Sequence, residues 1–118
     1  MEQRHPLSGL RVLEMGSRTT APYIGKLLTD AGADVLKLES PVGDPFRTWS
    51  ASGASIPDGE DAAWWRFLNA GKKSTTIDLE TDEGKDQFHN LVTETDLILD
   101  DHIPQDAQRL GITYEDIH

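Results

Sequence analysis

Three short stretches of this chain hold residues whose types and spacing suit ligand chemistry. Gly16-Ser17-Arg18-Thr19-Thr20 runs into a segment that Pro22 opens as a helix. Free amides and the positive dipole end at such a start favour an anion, and Arg18 would add a cation. One glycine is a weak signal, since the dinucleotide fingerprint needs three at set spacing. A plainly capped connection accounts for the same residues, and both readings stand. Lys72 and Lys73 follow Asn69-Ala70-Gly71 in a turn and suit a phosphate, although a solvated turn is the commoner role for such a pair. Asp100-Asp101-His102 follows an apolar run. Its adjacent acids have the make-up of a metal or general-base pair, and more often serve as a turn and a cap. His102 is the histidine placed to touch a ligand, whereas His5, His89 and His118 are scattered without ligating spacing. No Ser-His-Asp order, Walker-type glycine loop or metal cluster can be drawn.

The elements that must position these residues alternate. Residues 11–15 form a short apolar strand through Val12, Leu13 and Met15. A helix follows, capped by Thr19 or Thr20, with Ala21, Ile24, Leu27, Leu28 and Ala31 on one apolar face. Gly32 stops it, being free to take positive φ. Residues 33–39 make the second strand, which Lys37 and Glu39 close, paired with each other or with solvent. Residues 40–60, rich in glycine and proline, read as a long loop, and such loops are usually functional or mobile. A short helix at 62–68 carries Trp64 and Trp65, which together with Trp49 read as core or interface. Residues 74–79 alternate toward Ile77 and Leu79 as a strand. Thr81 caps a helix to about Thr93, with Asp82 and Glu83 in the turn where the dipole favours acids. Residues 96–99 are a strand, and 104–118 are short helical turns. The order predicts an α/β fold, a Rossmann-like parallel sheet with flanking helices, whose ligands bind where the strands end.

Composition narrows the partners. A chain of 118 residues fits one domain with a modest core. The net charge of −10 argues against nucleic acid, for lack of a basic surplus to neutralise phosphates. It still allows one phosphorylated small molecule held by a few local cations. No apolar run is long enough for a membrane span, and residues 1–6 lack the apolar stretch of a signal peptide. The absence of cysteine removes disulfides and thiolate zinc sites, and fits a cytoplasmic protein.

The wording of the chain adds a resemblance. Pro6-Leu7-Ser8-Gly9-Leu10-Arg11-Val12-Leu13-Glu14, Ala21-Pro22-Tyr23 and Leu28-Thr29-Asp30-Ala31-Gly32-Ala33-Asp34-Val35-Leu36-Lys37-Leu38-Glu39 resemble the opening of the family III CoA-transferases. That group includes formyl-CoA transferase, the carnitine CoA-transferases and α-methylacyl-CoA racemase. The likeness continues in Gly43-Asp44-Pro45-Phe46-Arg47, in Asn69 through Leu79, in Asp96-Leu97-Ile98-Leu99 and in Arg109-Leu110-Gly111-Ile112. It implies that residues 1–118 are the N-terminal part of a domain binding coenzyme A as substrate, with no permanently bound cofactor. It also implies a homodimer for the full-length protein, interlocked in this family. The implied reaction passes CoA between an acyl-CoA and an acid through an aspartyl intermediate. In the family that aspartate lies further along the polypeptide than residue 118, so this chain alone is expected to be inactive. By resemblance, Ser17, Arg18 and Thr19 match CoA-contacting places, and Lys72 and Lys73 keep the family's charge.

Two departures stand out. Ser40 occupies a place that is often basic, and Asp101, His102 and Ile103 replace an asparagine, an aromatic residue and an arginine that help hold CoA. An acid facing a phosphate costs affinity. A diverged, non-catalytic half or assembly partner of a tandem enzyme is therefore an alternative. A receiver-like signalling domain is a third reading, and Gly16-Ser17-Arg18 after the first strand lacks the acidic pair it needs.

Overall fold

The computed structural model describes residues 4–16 and 18–117. Its apolar runs pair as β1 (Arg11–Met15), β2 (Asp34–Glu39), β3 (Lys73–Thr76) and β4 (Leu97–Asp100). All pairings are parallel, in the order β3-β2-β1-β4. Parallel neighbours need a crossover, and helices supply it. α1 (Thr20–Asp30) links β1 to β2, α2 (Ala63–Asn69) precedes β3, and α3 (Asp82–Thr93) links β3 to β4. α4 (Pro104–Leu110) and α5 (Tyr114–Ile117) follow. The expected α/β sheet with flanking helices is the architecture. Residues 40–60 hold only a 3-10 turn at Pro45–Arg47.

Side chains alternate across a strand, so the two faces of the sheet carry different residues. Leu13, Met15 and Leu38 pack with Ile77, Leu79, Phe88 of α3, Ala107 of α4 and Ile112. The opposite face buries Val12 and Val35 with Ala33 near the amino ends of the strands. Further along the same face come Glu14, Lys37 and Glu39, all buried, with Glu14 and Lys37 paired in register.

Local chemistry explains most element bounds. Thr81 Oγ1 accepts the Gly84 N–H at 3.0 Å and starts α3 as expected. Gly32, at φ +102°, follows the C-cap of α1. Three expectations need correction. Neither Thr19 nor Thr20 caps α1 with its side chain: Thr19 is the N-cap residue without a side-chain cap bond, and Asp101 Oδ2 takes the Ala21 N–H instead. The third strand is shorter than 74–79: Ile77 N–H still bonds Glu39 O at 3.0 Å, after which a turn on Asp78 takes Thr81 N–H at 3.2 Å. Ile77 and Leu79 are buried all the same. In α1, Ile24 and Leu27 remain 39% and 51% exposed, and the buried residues are Ala21, Pro22 and Gly25. A Cβ on Gly25 would stand 2.0 Å from Glu14 Oε1. The helix therefore passes the Glu14 carboxylate at a glycine, while Leu28 packs on the apolar amino half of the same face.

Candidate functional site

A cleft of about 520 Å³ opens at the carboxyl ends of the strands. Every strand contributes the loop that follows it: Gly16 after β1, residues 40–44 after β2, residues 77–80 after β3 and His102 after β4. Asp106, Arg109 and Leu110 of α4 and the end of β2 at Leu38 and Glu39 complete the lining. Carboxyl ends of an open parallel sheet are where such folds take ligands.

The cleft's cations are partly engaged. The Arg109 guanidinium contacts Glu80 and lies 3.9 Å from Asp106. His102 Nδ1 is 2.5 Å from Asp100 Oδ1, and the same oxygen accepts the His102 N–H at 3.0 Å. The bond to Asp100 holds the imidazole pKa above the ordinary histidine value, although burial opposes it. Asp101 turns the other way. Its Oδ2 accepts the Ala21 N–H at 3.2 Å, in the first turn of α1, while Oδ1 is buried without a hydrogen-bond partner. Gly16 makes room for it, since a Cβ there would stand 1.8 Å from Asp101 Oδ1. Asp100 thus makes the turn and Asp101 caps α1, and no group of three metal-ligating side chains occurs among the described residues. The anion seat at the start of α1 is filled by the chain's own carboxylate.

Behind the cleft lies a buried cluster of charges. Glu14 accepts Lys37 Nζ at 2.9 Å on one oxygen and Lys72 Nζ at 2.5 Å on the other. Lys72 Nζ also donates to Pro22 O and Asn69 Oδ1, each at 2.9 Å. Burial works against the charge on Lys37, but Glu14 and Asp44 outweigh it and raise its pKa. Burial wins at Lys72, helped by the positive Lys37, and its pKa is lowered.

The expected site residues are therefore scattered. His102 lines the cleft. Arg18 and Thr19 are exposed in the loop leaving Gly16, and Thr19 is the N-cap of α1 without a side-chain cap bond. Ser17 lies outside the described residues. Lys72 keeps only 1% of its side chain exposed, its ammonium enclosed by Glu14, Pro22 and Asn69. Lys73 opens β3 at the amino ends of the strands, 3.9 Å from Asp34, across the sheet from the cleft. Lys37 and Glu39 do not pair with each other. Lys37 meets Glu14 and Asp44, and Glu39 meets Arg47. Sequence reasoning missed Arg109 as a cleft residue and Glu14 as a buried hub. A signal for the hub existed: an acid and a lysine each stood inside an otherwise apolar strand.

Residues 7–118 match the family model described as CoA-transferase family III. The chain belongs to CoA-transferase family III. It is 40% identical over 117 residues to the succinyl-CoA–D-citramalate CoA-transferase of Chloroflexus aurantiacus, covering 96% of this chain and 27% of that protein. It is 36% identical to the succinate–glutarate CoA-transferase of Agrobacterium fabrum, covering 98% and 30% respectively. A CAIB/BAIF family protein from Brucella suis has a similar structure, with TM-score 0.86 and 36% identity over 98% of this chain and 30% of that one. The chain thus spans under a third of these family III relatives, and its cleft and charge cluster fall inside the shared part. The expected family and fold are both met.

Proposed function

We propose that the cleft receives the nucleotide end of an acyl-CoA, making this chain the CoA-binding part of an acyl-CoA transferase or racemase. The observation that carries this reading is a cleft built from the loops of all four parallel strands, in a chain whose relatives are named CoA-transferases. Arg109 and His102 are the basic side chains in its lining, and Ser17, Arg18 and Thr19 follow Gly16 in the sequence. CoA enters as substrate and leaves as product, and the aspartyl nucleophile belongs to polypeptide beyond these residues. A cytoplasmic homodimer of the full-length protein is part of the same proposal. Lys72 serves this site from behind by fixing Glu14, and Lys73 stands apart from it.

Amide shifts during a CoA titration test the reading. Gly16, Gly43, Glu80 and His102 are expected to move, with Lys73 still; no movement at millimolar CoA overturns it. The Asp101 carboxylate at the start of α1 favours the second reading, a diverged half that no longer takes CoA. Asp101→Asn separates the two, because it keeps an acceptor for the Ala21 N–H and removes a negative charge. Relief of about 1 kcal/mol of repulsion would tighten CoA about fivefold. Absence of CoA binding in both the parent and Asp101→Asn supports the diverged half.

A further inference from the structure

Residues 40–44 form the wall of the cleft between β2 and the 3-10 turn. Two charged side chains of β2 meet this strap and the turn after it, Lys37 from behind the cleft and Glu39 from within its lining. Lys37 and Glu39 stand two residues apart and share a face of the sheet. Lys37 Nζ lies 2.9 Å from Asp44 Oδ2, and Arg47 Nη2 lies 3.0 Å from Glu39 Oε2. The signs run plus then minus on β2, and minus then plus from Asp44 at the end of the strap to Arg47 in the 3-10 turn. A register shift that set Glu39 against Asp44 would oppose like charges. Arg47 is further seated 3.8 Å over the Trp65 ring and 2.8 Å from Asp61.

The two pairs differ in what lies behind them. Glu39 and Arg47 meet near solvent, where the Arg47 side chain is 28% exposed. Lys37 and Asp44 each keep only 2% of the side chain exposed. Asp44 works in two directions: Oδ1 accepts the Phe46 N–H at 2.9 Å and starts the 3-10 turn, while the buried Oδ2 makes no hydrogen bond and has the Lys37 ammonium 2.9 Å away as its counter-charge. Lys37 in turn is held by Glu14, which Lys72 ties to Pro22 of α1 and Asn69 of α2. One ammonium therefore joins the charge cluster behind the sheet to the cleft wall. Its loss would leave Asp44 buried without a counter-charge, a state that side chains leave by moving toward water.

We propose that Lys37 is a positioning residue for the cleft: it transmits the fixed geometry of Glu14 to Asp44 and holds residues 40–44 in the conformation that receives a ligand. The ligand half of this inference rests on the reading of the cleft as a CoA site. The strap half is tested without any ligand. Gly43 N–H bonds Ser40 O at 2.9 Å and Arg47 N–H bonds Asp44 O at 3.0 Å, so these amides report strap order. In Lys37→Met their hydrogen exchange is expected to quicken about tenfold, while the Phe88 amide in α3 keeps its protection. Asp44→Asn, which leaves the Lys37–Glu14 pair intact and retains a Phe46 acceptor, covers the case in which Lys37→Met does not fold. It is expected to loosen the same two amides. Unchanged exchange at Gly43 and Arg47 in the folded variants overturns the inference, whatever CoA does.

The ligand arm compares CoA affinity in the parent, each variant and the double variant. Each single change is expected to weaken binding five- to tenfold, and the double no more than either, since both cut one connection. Additive losses, or unchanged affinity beside a loosened strap, would make Lys37 merely structural. A loosened strap in a chain whose parent gives no CoA shifts would instead sink the CoA reading and leave the strap assignment standing.

Discussion

The α3 side of the sheet is closed by Leu13, Met15, Leu38, Ile77 and Phe88, a set of side chains with no charge among them. The α1 side is apolar only at its amino half, and its carboxyl half buries Glu14, Lys37, Asp44 and the ammonium of Lys72. Both faces come from the same strands and are comparably dry. Apolar packing is tolerant of direction and adds up residue by residue. A buried charge cluster is stable only when complete, because each member has given up its hydration for the others. The first face holds the sheet to its helices, and the second also fixes where individual groups stand, directly behind the cleft.

That contrast can be broken by mutation. Glu14→Leu should cost about 3–5 kcal/mol in urea unfolding, by leaving the Lys72 ammonium buried without a carboxylate and Lys37 with Asp44 alone. The fourfold change Glu14→Leu, Lys37→Met, Lys72→Met and Asp44→Asn should recover most of that loss, as whole buried ion networks are often replaceable by apolar groups. A fourfold variant weaker than Glu14→Leu would show that the charges act one by one. On the other face Phe88→Ala should cost a similar ~3–5 kcal/mol. There a second truncation such as Leu13→Ala should deepen the loss, so a recovery would erase the distinction between the faces.

Smaller changes sharpen it. Gly25→Ala should cost about 1–3 kcal/mol by thermal unfolding, since its methyl group would meet the enclosed Glu14 carboxylate. Full stability in that variant would mean the helix can lift away from the sheet cheaply. The weakest expected effect is at His102, whose pKa is raised by Asp100. A raised value in the folded state gives stability that is fully present below the ordinary histidine value of 6.5. It is lost as the pH climbs through the higher folded value. His102→Gln should remove that portion of the pH dependence, and an unaltered stability profile would show that the Asp100 contact does not persist in solution.

Much of this fold was legible because its signals are local. Thr81 with Asp82 and Glu83 announced α3, Gly32 announced the end of α1, and the apolar runs through Val12 and Val35 announced central strands. The outer face of α1 was misjudged, because helical periodicity identifies apolar residues but not which of them a neighbour will cover. Gly25, an unpromising residue in a helix, faces the sheet because Glu14 needs the space. The candidate site was harder to read. His102, a ligand-contact candidate from its place after the fourth strand, lines the cleft, whereas Lys72 reads in the sequence as a cation in a turn. Its burial depends on Glu14, 58 positions earlier, and no pattern along the chain measures that approach.

What the sequence determined by itself was the alternation of strands and helices, the Thr81 cap of α3, the stop of α1 at Gly32, and the family. Short-range forces and motif order suffice for those. What only the tertiary structure decided was the fate of the charges. It enclosed Lys72, sent Lys73 to the far edge of the sheet, seated Asp101 at the start of α1 and set Lys37 between Glu14 and Asp44. A charged side chain is a ligand contact or a structural pin according to what surrounds it. For these residues the surroundings come from distant parts of the chain, brought together when the sheet forms.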